Sequence, residues 1–172
     1  TTSFDGVTGM QVLEGTVRPT DPVALAMGGA ALVPEDATNM SFGLTTSMLS
    51  GLNLSFDYYQ IDIAKKIIKS RALAVPEGVV TEYTELAFYS NALDTKTSGF
   101  DLVANYTIGS TNVSLALNHN ETEVTGQYQV GGQDPVSQGT MDNLELNLPK
   151  DRLVSTVTHT FSDALSAMVR IN

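Results

Sequence analysis

Residues 41–63 read SFGLTTSMLSGLNLSFDYYQIDI. Phe42, Leu44 and Met48 share one parity, with Thr46 between them, and Ser41, Gly43, Thr45 and Ser47 hold the other. After Leu49-Ser50-Gly51, the residues Leu52, Leu54, Phe56 and Tyr58 fall on one side and Asn53, Ser55 and Asp57 on the other. Side chains alternate between faces only in extended chain, so this stretch predicts two antiparallel strands joined by a short hairpin. The fold turns on what the apolar side faces, a second sheet or lipid. Beyond Tyr58-Tyr59 the phase changes, since Ile61 and Ile63 take the parity that Asn53, Ser55 and Asp57 held. A bulge there, or exit from the apolar layer, accounts for the change.

The same pattern recurs outward along the chain. Phe100, Leu102, Ala104, Tyr106 and Ile108 oppose Gly99, Asp101, Asn105 and Thr107, with Val103 breaking the polar side. A short Gly109-Ser110-Thr111 turn follows, and Val113, Leu115 and Leu117 then oppose Asn112, Ser114 and Asn118. Residues 153–161 read as a strand of poor alternation, Ser162-Asp163 turns, and Leu165, Ala167, Val169 and Ile171 alternate to the end. Residues 72–81, with Pro76 and Gly78, read as a loop, and residues 128–143, YQVGGQDPVSQGTMDN, as a second and larger one. Near the beginning, residues 21–28 fit a short helix capped by Thr20 or Asp21, with Pro22 in its first turn and Gly28 or Gly29 at its end.

The expectation is therefore an all-β chain, an antiparallel meander of about six strands, with short turns near residues 50, 110 and 163 alternating with long excursions. Outer-membrane barrels segregate short periplasmic turns from long external loops and point apolar residues outward. A sandwich strand also has one polar and one apolar face, so periodicity leaves a self-contained β-sandwich as the alternative to a segment of a large outer-membrane barrel.

Composition narrows the function. The 172 residues include 9 Lys and Arg against 19 Asp and Glu, a formal charge of -10, which argues against nucleic acid because a phosphate backbone needs a clustered basic face. The one basic cluster, Lys65, Lys66, Lys69 and Arg71, follows an alternating run and reads as a solvated strand end. No stretch approaches the ~20 apolar residues of a spanning helix, and Thr1 to Gly6 carry no signal-peptide pattern; neither absence bears on spanning strands, which need ~9–11 residues.

No catalytic residue is expected, because there is no Gly-x-Ser-x-Gly elbow and no Ser, His, acid constellation. No metal is expected either: the chain has no Cys, and His119 and His159 fall on different strands without ligand spacing. Asp57, Asp62, Asp94 and Asp101 are candidate cation ligands, yet Asp57 and Asp101 lie on the polar parity where hydrated side chains belong. Gly28-Gly29 and Gly131-Gly132 punctuate loops and lack the pattern of a phosphate cradle. The sequons at Asn39, Asn53, Asn105, Asn112 and Asn120 read as accidental: four of the five share a strand with alternating apolar residues, and a polar face built of Asn, Ser and Thr generates that spacing by itself. Tyr58, Tyr59, Phe88, Tyr89 and Tyr128 are expected near strand ends, as an aromatic girdle. No cofactor is expected, and no ligand-binding residue stands out.

Three segments carry a family resemblance. LVPEDATNMSFGLT (residues 32–45) followed by GLNLSFDYYQIDI, FYSNALDTKTSGFDLVANYTI (residues 88–108) and LNLPKDRLVSTVTHTFSD (residues 146–163) resemble, in order, the β-barrel of TonB-dependent outer-membrane receptors. The resemblance implies the C-terminal part of a closed barrel of more than ~20 strands around a plug. It implies uptake of a scarce nutrient of siderophore, cobalamin or carbohydrate type across the outer membrane of a Gram-negative bacterium. The implied partners are outer-membrane lipid, the remaining strands and the plug of the parent protein, and TonB through that plug. Residues 1–172 then form one partial barrel domain without a plug: 1–37 mostly an extracellular loop with the short helix, 38–172 wall strands and loops. The rival function is a soluble sandwich module for adhesion or carbohydrate binding.

Overall fold

The computed structural model describes residues 2–4, 11–47, 49–146 and 149–172. Met48, expected on the apolar parity, and Asn147 and Leu148 of the third matching segment lie outside the described residues. The elements in chain order are β1 (Thr2–Phe4), β2 (Gln11–Thr16), α1 (Pro22–Ala26), β3 (Asp36–Thr46), β4 (Leu52–Lys69), β5 (Leu73–Ala74), β6 (Glu85–Ala87), β7 (Tyr89–Ile108), β8 (Thr111–Gln127), α2 (Gln138–Leu146), β9 (Asp151–Ser162) and β10 (Leu165–Ile171).

Six strands form one sheet in the order β10-β9-β8-β7-β4-β3, the expected meander, with the short β5 and β6 carried by the β4-to-β7 connection. The tight turns have their glycines where a left-handed backbone is needed: Gly51 has φ +78° and Gly109 φ +55°. A side chain on Gly51 would also run into the carbonyl oxygen of Thr107.

Register makes the apolar face continuous. Val113 opposes Val157, which opposes Val169; Leu117 opposes Leu153; His159 opposes Ala167. On β9 the apolar face is thus held by Leu153, Ser155, Val157, His159 and Phe161, while Val154 joins the polar face, and these exceptions are why its alternation reads poorly from sequence.

The chain divides into two compact units. One comprises Thr38–Ile61, Lys96–Glu123 and Glu145–Asn172. Among its described residues no hydrophobic side chain is buried, and Phe42, Leu44, Phe161, Val169 and Ile171 are each between 58% and 66% exposed. A sandwich needs a second sheet over this face, and the face is bare. The sandwich alternative is accordingly set aside. Both edge strands, β3 and β10, leave backbone groups without a neighbouring strand in this sheet.

The other unit comprises Thr1–Ala37, Asp62–Thr95 and Val124–Leu144, and it holds the core. Ala24, Met27, Leu73, Leu86, Phe88 and Val130 form one buried cluster; Ala92, Leu93 and Val136 form a second, against which Met141 and Leu144 of α2 pack. Helix α1 begins as read from sequence, with Pro22 at its start and the Asp21 carboxylate accepting from the Val23 amide at 2.9 Å. The expected loops are more ordered than their composition suggests. A four-stranded sheet, β1-β2-β6-β5, runs through residues read as loop, and α2 starts inside the segment 128–143, where the Ser137 hydroxyl accepts from the Thr140 amide.

Side-chain amides serve as strand substitutes within this unit. Gln133 accepts from the Ala74 amide and donates to the Ala74 carbonyl at 3.2 and 3.0 Å. Asn91 does the same with Val33, both at 2.9 Å. Gly131 (φ +57°) lies so close to Met27 that any side chain would meet the Met27 carbonyl oxygen.

Candidate functional site

The polar face of the sheet is a ladder of hydrogen-bonded side chains. Asn112 donates to Thr107 at 2.9 Å, Asn118 to Asp101 at 2.8 Å, and the hydroxyls of Thr97 and Thr122 meet at 3.0 Å. All three pairs fit one register, in which Ile108 opposes Thr111, so β7 and β8 stay in phase over this length. The same register sets Val103 opposite Ala116, and Ala116 opposes Val154. Asn118 opposes Arg152. One row on the polar face therefore reads Asp101, Asn118, Arg152, and the next reads Val103, Ala116, Val154.

Above that row, toward the long connections, Tyr59 lies over Gly99. A Cβ on Gly99 would come within 2.6 Å of the Tyr59 hydroxyl, so the missing side chain is what admits the ring. Toward the short turns, Ser55 donates to Asp57 at 3.1 Å, and Gly43 leaves the room that the Asp57 carboxylate occupies. Asn53 and Asp57 share this face, as expected from their parity.

The apolar face ends in an aromatic row. Phe56 and Phe100 stack with centroids 6.0 Å apart, Phe100 and His119 at 5.4 Å, and His119 Nδ1 sits 2.7 Å from the Asp151 carboxylate. Beyond it Lys150 donates to Glu121 at 2.5 Å. That hydrogen bond and the Lys150 charge hold the Glu121 carboxyl below its ordinary pKa, and the same bond holds the Lys150 ammonium above its own. At the other end of the β8–β9 pair His159 Nδ1 lies 2.8 Å from the Thr111 hydroxyl, with Phe161 edge-on. The two histidines thus terminate opposite ends of the pair, and among the described residues no three His, Cys, Asp or Glu side chains group as metal ligands.

Asp94 acts as a backbone pin. It accepts from the Lys65 amide at 2.8 Å and from the Tyr128 hydroxyl, which raises the hydroxyl's pKa because the carboxylate stabilises the protonated form. Lys65 is the one non-glycine residue with positive φ (+59°) among the described residues, and Asn91 donates to its carbonyl at 2.6 Å. The backbone irregularity of β4 therefore sits at Lys65, while the strand runs unbroken through Tyr58-Tyr59.

The expected girdle needs correction. Phe88 is fully buried at the centre of the larger core cluster, whereas Tyr89 and Tyr128 are 47% and 50% exposed. Tyr58 keeps the parity of Phe56, and Tyr59 turns onto the polar face. The row Asp101, Asn118, Arg152 was missed from sequence, because it needs a register relating residues far apart in the chain.

A family model described as TonB dependent receptor-like, beta-barrel matches residues 3–168. No curated protein matches the chain.

Proposed function

Because this chain belongs to the TonB-dependent receptor β-barrel family, which serves transport at the Gram-negative outer membrane, we propose that it is a sector of the barrel wall of a nutrient-uptake receptor. Its apolar face meets lipid, its polar face lines the lumen, and the short turns point to the periplasm. The long connections and most of residues 1–37 lie outside the cell. TonB acts through a plug carried by the parent protein, and the cargo is a small molecule of the siderophore, cobalamin or carbohydrate kind. The family is one of transporters.

One observation carries this reading: an uncovered apolar face backed by a hydrogen-bonded polar one. Phe100 to Ile108 on β7 matches the ~9–11 residues a tilted strand needs to cross a bilayer. A soluble domain would hide that face.

Topology supplies the test. Val80 is 95% exposed in the β5-to-β6 connection, and Ser110 sits in the tight turn between β7 and β8. In the full-length receptor free of other cysteines, Val80→Cys should react on intact cells with a membrane-impermeant maleimide, and Ser110→Cys only after the outer membrane is opened. Labelling of the Ser110→Cys variant on intact cells reverses the orientation.

A further inference from the structure

Residues 30–35, AALVPE, run as a strap between two fixed posts. At one end the Gly29 amide donates to the Ala24 carbonyl at 2.7 Å, beside the buried Met27, and at the other the chain enters β3 at Asp36. All six residues between are exposed, Leu32 by 40% and Val33 by 45%, so no buried apolar side chain holds the strap down.

Three hydrogen bonds do so instead. The Asn91 side-chain amide accepts from the Val33 amide and donates to the Val33 carbonyl, both at 2.9 Å, and the Glu35 carboxylate accepts from the Ile67 amide at 2.7 Å. Residues 30–35 make no other hydrogen bond or ion pair among the described residues. Exposed bonds of this kind contribute little each, because water replaces them when they break.

The strap's partners meet at Lys65. Asn91 also donates to the Lys65 carbonyl at 2.6 Å, while Asp94 accepts from the Lys65 amide at 2.8 Å and from the Tyr128 hydroxyl. Both backbone groups of Lys65 are therefore held by side chains, at a φ of +59° that crowds any L residue with a Cβ. Such a conformation persists only where its surroundings impose it. Asn91 and Asp94 impose it directly, and the strap fixes Asn91 through Val33. Ile67, held by Glu35, lies two residues further along β4.

The closed arrangement stores backbone strain, and opening it forfeits three exposed hydrogen bonds. The two effects oppose each other and are of similar size, which is the condition for a local element with two populated positions.

We infer that residues 30–35 are a latch that opens as one unit with Lys65, whose backbone leaves the left-handed region on release while both buried clusters stay packed. The connection after Tyr128 keeps its place in either position, because Val130 and Val136 are buried in those clusters. The latch is independent of the cargo and of which sheet face meets lipid.

The test is amide exchange resolved to single residues in the full-length receptor purified in detergent. The Val33, Lys65 and Ile67 amides should share one protection factor, well below that of the Ser70 and Phe88 amides, which bond to each other's residues within the core at 2.9 and 3.1 Å. Asn91→Ala should lower protection at all three sites by about tenfold, and Glu35→Ala by about fivefold, with Val33 and Lys65 responding as well as Ile67. Glu35→Gln, which keeps an acceptor for the Ile67 amide, should restore it. Lys65→Gly should act the other way, raising protection at Val33 and Ile67 by about fivefold, since glycine occupies the left-handed region without steric cost. Heat-modifiable migration on gels reports the folding of each variant, and should Asn91→Ala not fold, Glu35→Ala and Lys65→Gly carry the test. Effects confined to the one amide whose partner is removed would overturn the latch and leave independent contacts. Lys65→Gly that lowers protection or leaves it unchanged overturns it too, as does exchange at Val33 no faster than at Phe88, which makes the strap part of the core's own unfolding. The barrel reading survives each of these, because it fails separately, by reversed labelling of the Val80→Cys and Ser110→Cys variants.

Discussion

Leu54→Arg and Leu115→Arg should each cost the assembled receptor about 2–4 kcal/mol, the penalty for a basic residue on the lipid face near mid-membrane. Both positions lie on the apolar parity, Leu54 on β4 and Leu115 on β8. Their neighbours on the other face should behave differently. Asn53→Arg and Ser114→Arg place the guanidinium among Asn, Ser and Thr side chains, where water reaches it, and should leave assembly nearly intact. The readout is the fraction of receptor that migrates as folded, heat-modifiable barrel in outer-membrane preparations. Equal loss in all four variants would show that the two faces have been assigned wrongly.

Phe88→Ala should act elsewhere and as strongly. Phe88 is the largest fully buried side chain among the described residues, packed with Leu73, Leu86, Met27 and Val130. Truncating a buried phenylalanine costs about 3–5 kcal/mol, through lost transfer energy and the cavity left behind. The loss falls on the unit of residues Thr1–Ala37, Asp62–Thr95 and Val124–Leu144, whose order comes from this cluster and from the Gln133 and Asn91 amide clamps. Amide exchange in residues 73–88 and 128–136 should accelerate by orders of magnitude, while the folded migration of the receptor persists. Unchanged exchange at those amides would mean that the cluster does not hold the connections.

The wall strands were legible because a half-buried strand writes its faces into alternate residues, as at Leu52, Leu54 and Phe56 or Val113, Leu115 and Leu117. Helix α1 was legible because Asp21 and Pro22 are local signals for a helix start. The hidden elements depend on distant partners. Strands β4, β7 and β8 run on past the apolar stretch to Lys69, from Tyr89 and to Gln127, where the alternation ends but pairing continues. Strands β5 and β6 are two and three residues long and exist through Leu73 and Leu86, buried in a cluster assembled from four parts of the chain. Phe88 resembled an interfacial aromatic because its neighbours Tyr89 and Ser90 begin a strand; burial is decided by Met27 and Val130, far off in sequence. The Asp101, Asn118, Arg152 row is a matter of register, and a shift by one residue would carry a strand's whole set to the opposite face.

The lipid-facing wall is tested most directly by spin labels placed one at a time at residues 112–117 of β8 in the receptor reconstituted in bilayers, with collision rates to oxygen and to a water-soluble nickel chelate measured by electron paramagnetic resonance. Labels at Val113, Leu115 and Leu117 should show high oxygen and low nickel accessibility, and labels at Asn112, Ser114 and Ala116 the reverse, a period of two in antiphase. A strand whose six labels show no such period, or whose labels at 113, 115 and 117 are shielded from both reagents as beneath a second sheet, would contradict the assignment.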